Sequence, residues 1–400
     1  MSDMPHSRPV LRLRPKTSAQ RFRFGAPWIF ADETVLDRRT KALSPGTLVE
    51  LQDNDRRPFG IGAINPGSKI IARILDLDPN AAIDQAWLRA RVARALALRA
   101  HIYETPHYRL IHAEADGMPG LIVDRFGDVL VMQPNAAWAD ARADEIAAAL
   151  QAETGAATVF VNASGRARSL EGLSDVSRFA IGAVDAPIDV PMNGAIYKAD
   201  ITGGQKTGLF FDQRDNHAAA AHLARGGSVL DVFSHVGGFS LAALAAGATH
   251  AVAVDGSVPA LALAAAGAGA SGFGDRFETR AGDAVPTMRA MAEAGEAFDT
   301  VICDPPAFAP NKAALEAGLR GYEKVALAGA KLVAPGGFLV LCSCSHAADL
   351  ARFRDVSLRG IGRAGRRAQL VRTGFAGADH PVHASLAESA YLKAVFFRLD

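Results

Sequence analysis

Cysteine is scarce in this sequence. The 400 residues contain three, Cys303, Cys342 and Cys344, all late in the chain. An odd count without framework spacing excludes a disulfide scaffold and leads us to expect a reducing, cytoplasmic setting. The run Cys342-Ser343-Cys344-Ser345-His346 has donor atoms but no zinc-type spacing, so no metal is expected. An excess of charge is also missing: 43 Lys and Arg stand against 42 Asp and Glu. That balance excludes a chain held open by self-repulsion, and a hydrophobic content of 49% supplies a core instead. No apolar run reads as a membrane span. The Ala- and Gly-rich stretch 241–270 comes nearest, but His250, Asp255 and Pro259 interrupt it, and a buried α/β segment is expected there. Arg8, Arg12, Arg14 and Lys16 have no apolar stretch behind them, which is not the pattern of a signal peptide.

What charge there is lies unevenly. Residues 1–30 hold six Arg or Lys against the single acid Asp3, and seven arginines fall between Arg352 and Arg372. Such clusters suit phosphate contacts, and they equally suit a solvated surface.

A chain of this length predicts two or three domains. Residues 8–76 read as a small β-barrel, with strand-like runs at Val10–Leu13, Leu48–Leu51, Phe59–Ile64 and Ile70–Leu75 and turn residues between them. Residues 77–192 read as a middle α+β unit. Its first helix, about Asp84–Glu104, repeats Leu88, Val92, Leu96 and Ala100 at helical spacing, and its second covers Trp138–Leu150. Strands are expected at Leu110–His112, Leu121–Val123, Val129–Met132 and Thr158–Val161. In residues 193–400 the apolar runs Ser228–Asp231, Ala251–Asp255, Thr300–Asp304 and Phe338–Cys342 alternate with Ala-rich helices. That alternation predicts an α/β domain with a mostly parallel, doubly wound sheet.

Ligands of such a sheet bind beyond the carboxyl ends of its strands. Asp231 ends the first run, and Phe233 and Ser234 lead on to Gly237-Gly238, which lack the Cβ that would hold a ligand off. Asp255 ends the second, where a carboxylate can accept from both hydroxyls of a ribose. Gly282-Asp283 follows a third apparent strand, placed for an adenine edge, and Asp304-Pro305-Pro306 ends the fourth. A nicotinamide dinucleotide needs G-x-G-x-x-G, which Gly237-Gly238-Phe239 does not supply. The set fits S-adenosylmethionine, which has no pyrophosphate to place. Simple turn capping by Asp231 and Asp255 is the competing explanation.

Longer motifs add to this. They are Ala26-Pro27-Trp28-Ile29-Phe30, the hairpin Glu114–Asp128, Gln205-Lys206-Thr207-Gly208 through Asn216, and Phe233–Ser240. Asp304-Pro305-Pro306-Ala307-Phe308, Ser343-Cys344-Ser345, and Asp379-His380-Pro381 with Tyr391-Leu392-Lys393 complete them. Through these the chain resembles, over nearly its whole length, the RlmI-like cytosine-5 methyltransferases of large-subunit ribosomal RNA. The resemblance implies an N-terminal PUA domain that binds structured RNA, a middle domain, and a Rossmann-like methyltransferase domain acting on ribosomal RNA. A homodimer is left open. It also implies that Phe210, Asp212 and Arg214 border the cofactor pocket together with Phe233, Gly237, Asp255 and Asp283. Read from pattern alone, Asp212–Asp215 is the charged start of a helix.

Cytosine carbon-5 is a poor nucleophile until a thiolate adds at carbon-6. Cys344 is the candidate for that thiol. It matches Ser-Cys-Ser and lies nearer the ligand-binding end of its strand than Cys342, while Cys303 reads as a small buried hydrophobe. Asp304 is expected to bond the exocyclic amine or nitrogen-3 of the base. The base that removes the carbon-5 proton is not assigned, and His346 is left out of the catalytic set. Ala307 and Phe308 stand where many RNA cytosine-5 methyltransferases carry a second cysteine, and Phe308 suits base stacking and core packing equally. Asn162–Gly172 departs from the family pattern. The alternative is N-methylation of guanine or adenine in RNA, which needs no cysteine.

Overall fold

The computed structural model describes residues 8–185, 187–203 and 208–400. The chain forms two compact units, one holding residues up to Asp185 with Pro381–Leu386, the other holding the remainder.

The first unit begins with six short strands. In spatial order they are Trp28–Phe30, Ile70–Asp76, Pro58–Ile64, Leu48–Gln52, Val10–Leu13 and Thr34–Val35. Alternate residues Leu11, Leu13, Val49 and Leu51 point inward to meet Phe22, Ile29 and Ile71 in one apolar core. A second layer follows, a five-stranded sheet from His107–His112 to Arg178–Ile181 covered by helices Gln85–Ile102 and Ala143–Thr154. Asp84 caps the first of these helices by accepting from the Trp87 N–H. Its buried stripe is Leu88, Val92, Ala95 and Arg99, whereas Leu96 is half-buried and Ala100 exposed. Steps of four overshoot a helical turn by about 40° each, so the expected face drifts off the core within two steps. Arg99 is admitted to the interior because Asp116 meets it with both carboxylate oxygens, at 2.6 and 2.8 Å.

In the second unit the strands β1 (Ser228–Val232), β2 (His250–Asp255), β3 (Phe277–Ala281), β4 (Phe298–Cys303), β5 (Val333–Ser343), β6 (Ala368–Phe375) and β7 (Lys393–Leu399) form one sheet. Their order is β3-β2-β1-β4-β5-β7-β6. β1 to β5 are parallel, and β7 enters antiparallel between β5 and β6. The expected doubly wound α/β domain is therefore present, with an antiparallel edge. Helices α1 (Arg214–Leu223), α2 (Gly238–Ala245), α3 (Val258–Ala270), α4 (Ala284–Glu293), α5 (Leu315–Ala330) and α6 (Leu350–Arg363) cover the two faces. Leu230 and Val232 face the core of α4, α5 and α6, and Val229, just before them, faces that of α1 and α2. Burial on both faces is why these strands read as unbroken apolar runs. Strand order reverses between β1 and β4, and the loops beyond their carboxyl ends form the crevice such sheets use for ligands.

Many arginines of the two basic clusters have acceptors within the protein. Arg14 donates to the Thr34 carbonyl, Arg21 pairs with Glu33, Arg352 pairs with Glu316, and Arg363 pairs with Glu323. Asp3 lies outside the described residues. Among the described residues no helix is long and apolar enough to cross a membrane.

Candidate active site

The site starts at the end of β1. Asp231 is fully buried, and its Oδ2 accepts from the Ser240 N–H at 2.9 Å and the Ser240 hydroxyl at 2.6 Å. Its other oxygen, Oδ1, and the buried Ser234 Oγ have no hydrogen-bond partner among the described residues. Burial pushes the Asp231 carboxyl up to about 6, and the nearby Asp255 charge adds to the rise while Ser240 opposes it. The loop that follows is bent into the left-handed region at Phe233 (φ 64°), His235 (φ 49°) and Gly237 (φ 79°). Two non-glycine residues in that region cost about 1–2 kcal/mol each. Three backbone bonds offset this: Phe233 and Ser234 donate to the Val254 carbonyl, and His235 donates to Asp255 Oδ2 at 2.9 Å.

The paired glycines serve the protein's own packing. A Cβ on Gly238 would lie 2.7 Å from the His217 ring of α1, and one on Gly237 3.2 Å from Ala264 of α3. His217 packs edge-on against Phe239, with ring centroids 4.4 Å apart, and burial lowers its pKa to about 3. It is therefore a neutral spacer.

Asp255 sits half-buried at the end of β2, its Oδ1 accepting from the Ser257 N–H at 2.7 Å. The Gly282 N–H donates to the Asp255 carbonyl, which brings Asp283, the exposed N-cap of α4, beside it. Asp304 follows β4, its N–H donating to the Val232 carbonyl of β1. Asp231, Asp255 and Asp304 thus end three adjacent strands.

A second group comes from the segment before α1. Phe210 meets His235 edge-on at 5.0 Å. Asp212 is buried and accepts from the Tyr391 hydroxyl at 2.6 Å, while its carbonyl accepts from the Gly377 N–H. Arg214 opens α1 with its guanidinium over the Phe211 ring at 5.3 Å. The charged helix start read from pattern is there, but Asp212 and Arg214 point inward. Gln205, Lys206 and Thr207 lie outside the described residues.

Cys344 is the first residue beyond β5, half-buried, while Cys342 and Cys303 are buried within their strands and burial drives both of those thiols upward. Ser345, next to it, is fully buried, bonded through Oγ to the Tyr322 hydroxyl at 2.7 Å and to the Ala309 N–H at 2.9 Å. Phe308 packs on Tyr322 with centroids 4.9 Å apart and lies over Gly321 of α5, where a Cβ would approach it to 2.9 Å. No role for Tyr322, Tyr391, Lys393 or His217 follows from the sequence pattern alone. Two of them belonged to quoted motifs, but their contacts depend on β7 pairing with β5, which no local pattern announces.

A family model for a PUA-like domain matches residues 11–77, and one for S-adenosylmethionine-dependent methyltransferases matches residues 174–398. A protein of Shewanella amazonensis named ribosomal RNA large subunit methyltransferase I is 34% identical, covering 93% of this chain and 95% of its own length. One of Deinococcus radiodurans named ribosomal RNA large subunit methyltransferase is 34% identical across the whole of both chains. Among solved structures, a SAM-dependent methyltransferase from Streptococcus mutans superposes with a TM-score of 0.80 at 19% identity, over 98% of this chain and 100% of its own. A second methyltransferase, complexed with SAH, superposes at 0.81 with the same identity and coverage. At that identity the two structures speak for a shared fold.

Proposed function

The chain belongs to the S-adenosylmethionine-dependent methyltransferases, and from that membership we propose that it methylates carbon-5 of a cytosine in large-subunit ribosomal RNA through a transient adduct with Cys344. The full-length relatives named for ribosomal RNA of the large subunit support the substrate, and the PUA-like segment supports RNA addressing. In this reading residues 8–76 and the middle part, 77–192, address the RNA, and residues 193–400 do the chemistry.

The residues present suit the cofactor. Asp231 Oδ1 and Ser234 Oγ are buried polar atoms without a partner among the described residues, the condition that calls for a ligand donor or acceptor. Each Asp255 oxygen takes one backbone N–H and keeps lone-pair capacity for ribose hydroxyls. Phe233, Gly237 and Gly238 shape the loop, Phe210, Asp212 and Arg214 border it, and Asp283 stands at the adenine end. When bound, S-adenosylmethionine supplies an electrophilic methyl group.

One observation carries the choice of atom: the half-buried thiol of Cys344 lies just past β5, next to the strand whose end bears Asp304. As the Cys344 thiolate adds to carbon-6, the ring's double-bond electrons move toward carbon-5, which becomes nucleophilic. Asp304, bonded to the exocyclic amine or nitrogen-3 of the base, orients the ring for that addition. Carbon-5 would take the methyl group that bound S-adenosylmethionine supplies, the electrons of the broken carbon–sulfur bond staying on the cofactor's sulfur. Loss of the carbon-5 proton would then expel the Cys344 thiolate and restore the ring. The test is Cys344→Ala in the full chain with undermethylated large-subunit RNA. Retained methyl transfer overturns the reading, and a product methylated on guanine or adenine nitrogen replaces it with the alternative.

A further inference from the structure

Lys393 is 4% exposed, on β7, in register with Ser343 of β5. Its Nζ donates to the Ser345 carbonyl at 2.5 Å and to the Tyr391 carbonyl at 3.0 Å. Burying an ammonium costs stability that a methionine of similar length would not. Here it bonds the residue that directly follows Cys344. We infer that Lys393 is a positioning residue for Cys344: it fixes the Ser343–Ser345 segment through the Ser345 carbonyl, and its charge holds the sulfur as thiolate. This rests on Cys344 being the nucleophile.

The electrostatics agree. Burial lowers Lys393 to about 8, against the pull of Cys344 and of Asp349 at the start of α6. Interaction between two titrating groups is mutual, so an ammonium that Cys344 stabilises stabilises the Cys344 thiolate in turn. Tyr322, on the other side of the segment, is pushed upward chiefly by burial and stays neutral, so it adds no charge of its own. On activation the thiol proton passes to solvent, the electron pair stays on sulfur, and the lysine remains protonated below about pH 8.

The experiment is the pH profile of iodoacetamide alkylation at Cys344, read by peptide mass spectrometry in the full chain. The wild type is compared with Lys393→Met, Lys393→Gln and Lys393→Arg. Glutamine keeps a donor for the carbonyls without the charge. The expected result is alkylation at pH 7 slowed about tenfold in both neutral variants, a rise of about one pKa unit in the thiol, with Arg restoring the wild-type profile. An unchanged profile in either neutral variant overturns the inference. So does loss of the folded state, read by thermal melting, in both neutral variants but not in Arg, because the charge then serves the fold. Methyl transfer that survives Cys344→Ala sinks the adduct instead, and leaves the alkylation profile to judge the Lys393–Cys344 coupling by itself.

Discussion

The Tyr391 hydroxyl donates to Asp212 Oδ2 at 2.6 Å, joining the segment before α1 to the approach of β7. The Gly377 N–H closes on the same residue's carbonyl, so Asp212 is held from two sides by the C-terminal part of the domain. A hydrogen bond to a charged group contributes about 1.5–3 kcal/mol. Tyr391→Phe therefore lowers the melting temperature and, by releasing Asp212 from its place at the pocket border, also weakens S-adenosylmethionine binding, measured by calorimetry. Unchanged affinity would remove Asp212 from the pocket border.

Asp231 gives a pH dependence. Its carboxyl is pushed up to about 6 by burial, with Asp255 adding. A folded value above the unfolded one favours the fold below the unfolded value of 3.8, and that stability is lost as pH rises through about 6. Ligand binding runs the other way, because the ionised carboxylate is the better acceptor for a cationic amine. Affinity for S-adenosylmethionine should fall as pH drops below about 6, and Asp231→Asn should bind weakly with that dependence gone. Titrations at pH 5.5 and 7.5 separate the cases.

His217 and Gly238 form a stability pair. Gly238→Ala places a Cβ 2.7 Å from the His217 ring and should cost about 1–3 kcal/mol. Most of that loss should return in Gly238→Ala with His217→Ala, read by urea denaturation as non-additivity. His217 is lowered to about 3 by burial, so its share of stability is present above 6.5 and lost as pH falls toward 3. Between pH 7.5 and 5.5 this amounts to about 1.4 kcal/mol, which His217→Phe should not lose.

The parallel core was legible because strands buried on both faces must be apolar throughout, and β1, β2 and β4 carry that signature with an aspartate within one residue of each end. The glycines of the β1 loop were legible as positions that need no side chain, but the protein neighbour that crowds one of them was not. The crowding atom at Gly238 is His217 of α1, set by helix packing. The first helix of the middle part was found and its phase misread, since Ala95 and Arg99, rather than Leu96 and Ala100, complete the stripe. The place of Arg99 in that stripe depends on Asp116, which lies in a turn further along the chain and outside the helix's own pattern. Lys393 and Tyr391 were seen as letters of a motif. Their roles come from β7 inserting between β5 and β6, a long-range pairing that composition does not encode. Phe308 was open between stacking and packing, and its neighbours Gly321 and Tyr322 give it a packing role within the domain.

The most direct measurement is nucleoside mass spectrometry of undermethylated large-subunit ribosomal RNA incubated with S-adenosylmethionine and either the wild type or Cys344→Ala. The expected result is 5-methylcytidine with the wild type and none with Cys344→Ala, while that variant still binds the cofactor in calorimetry. Formation of 5-methylcytidine by Cys344→Ala, or a methylated guanine or adenine in its place, would contradict it.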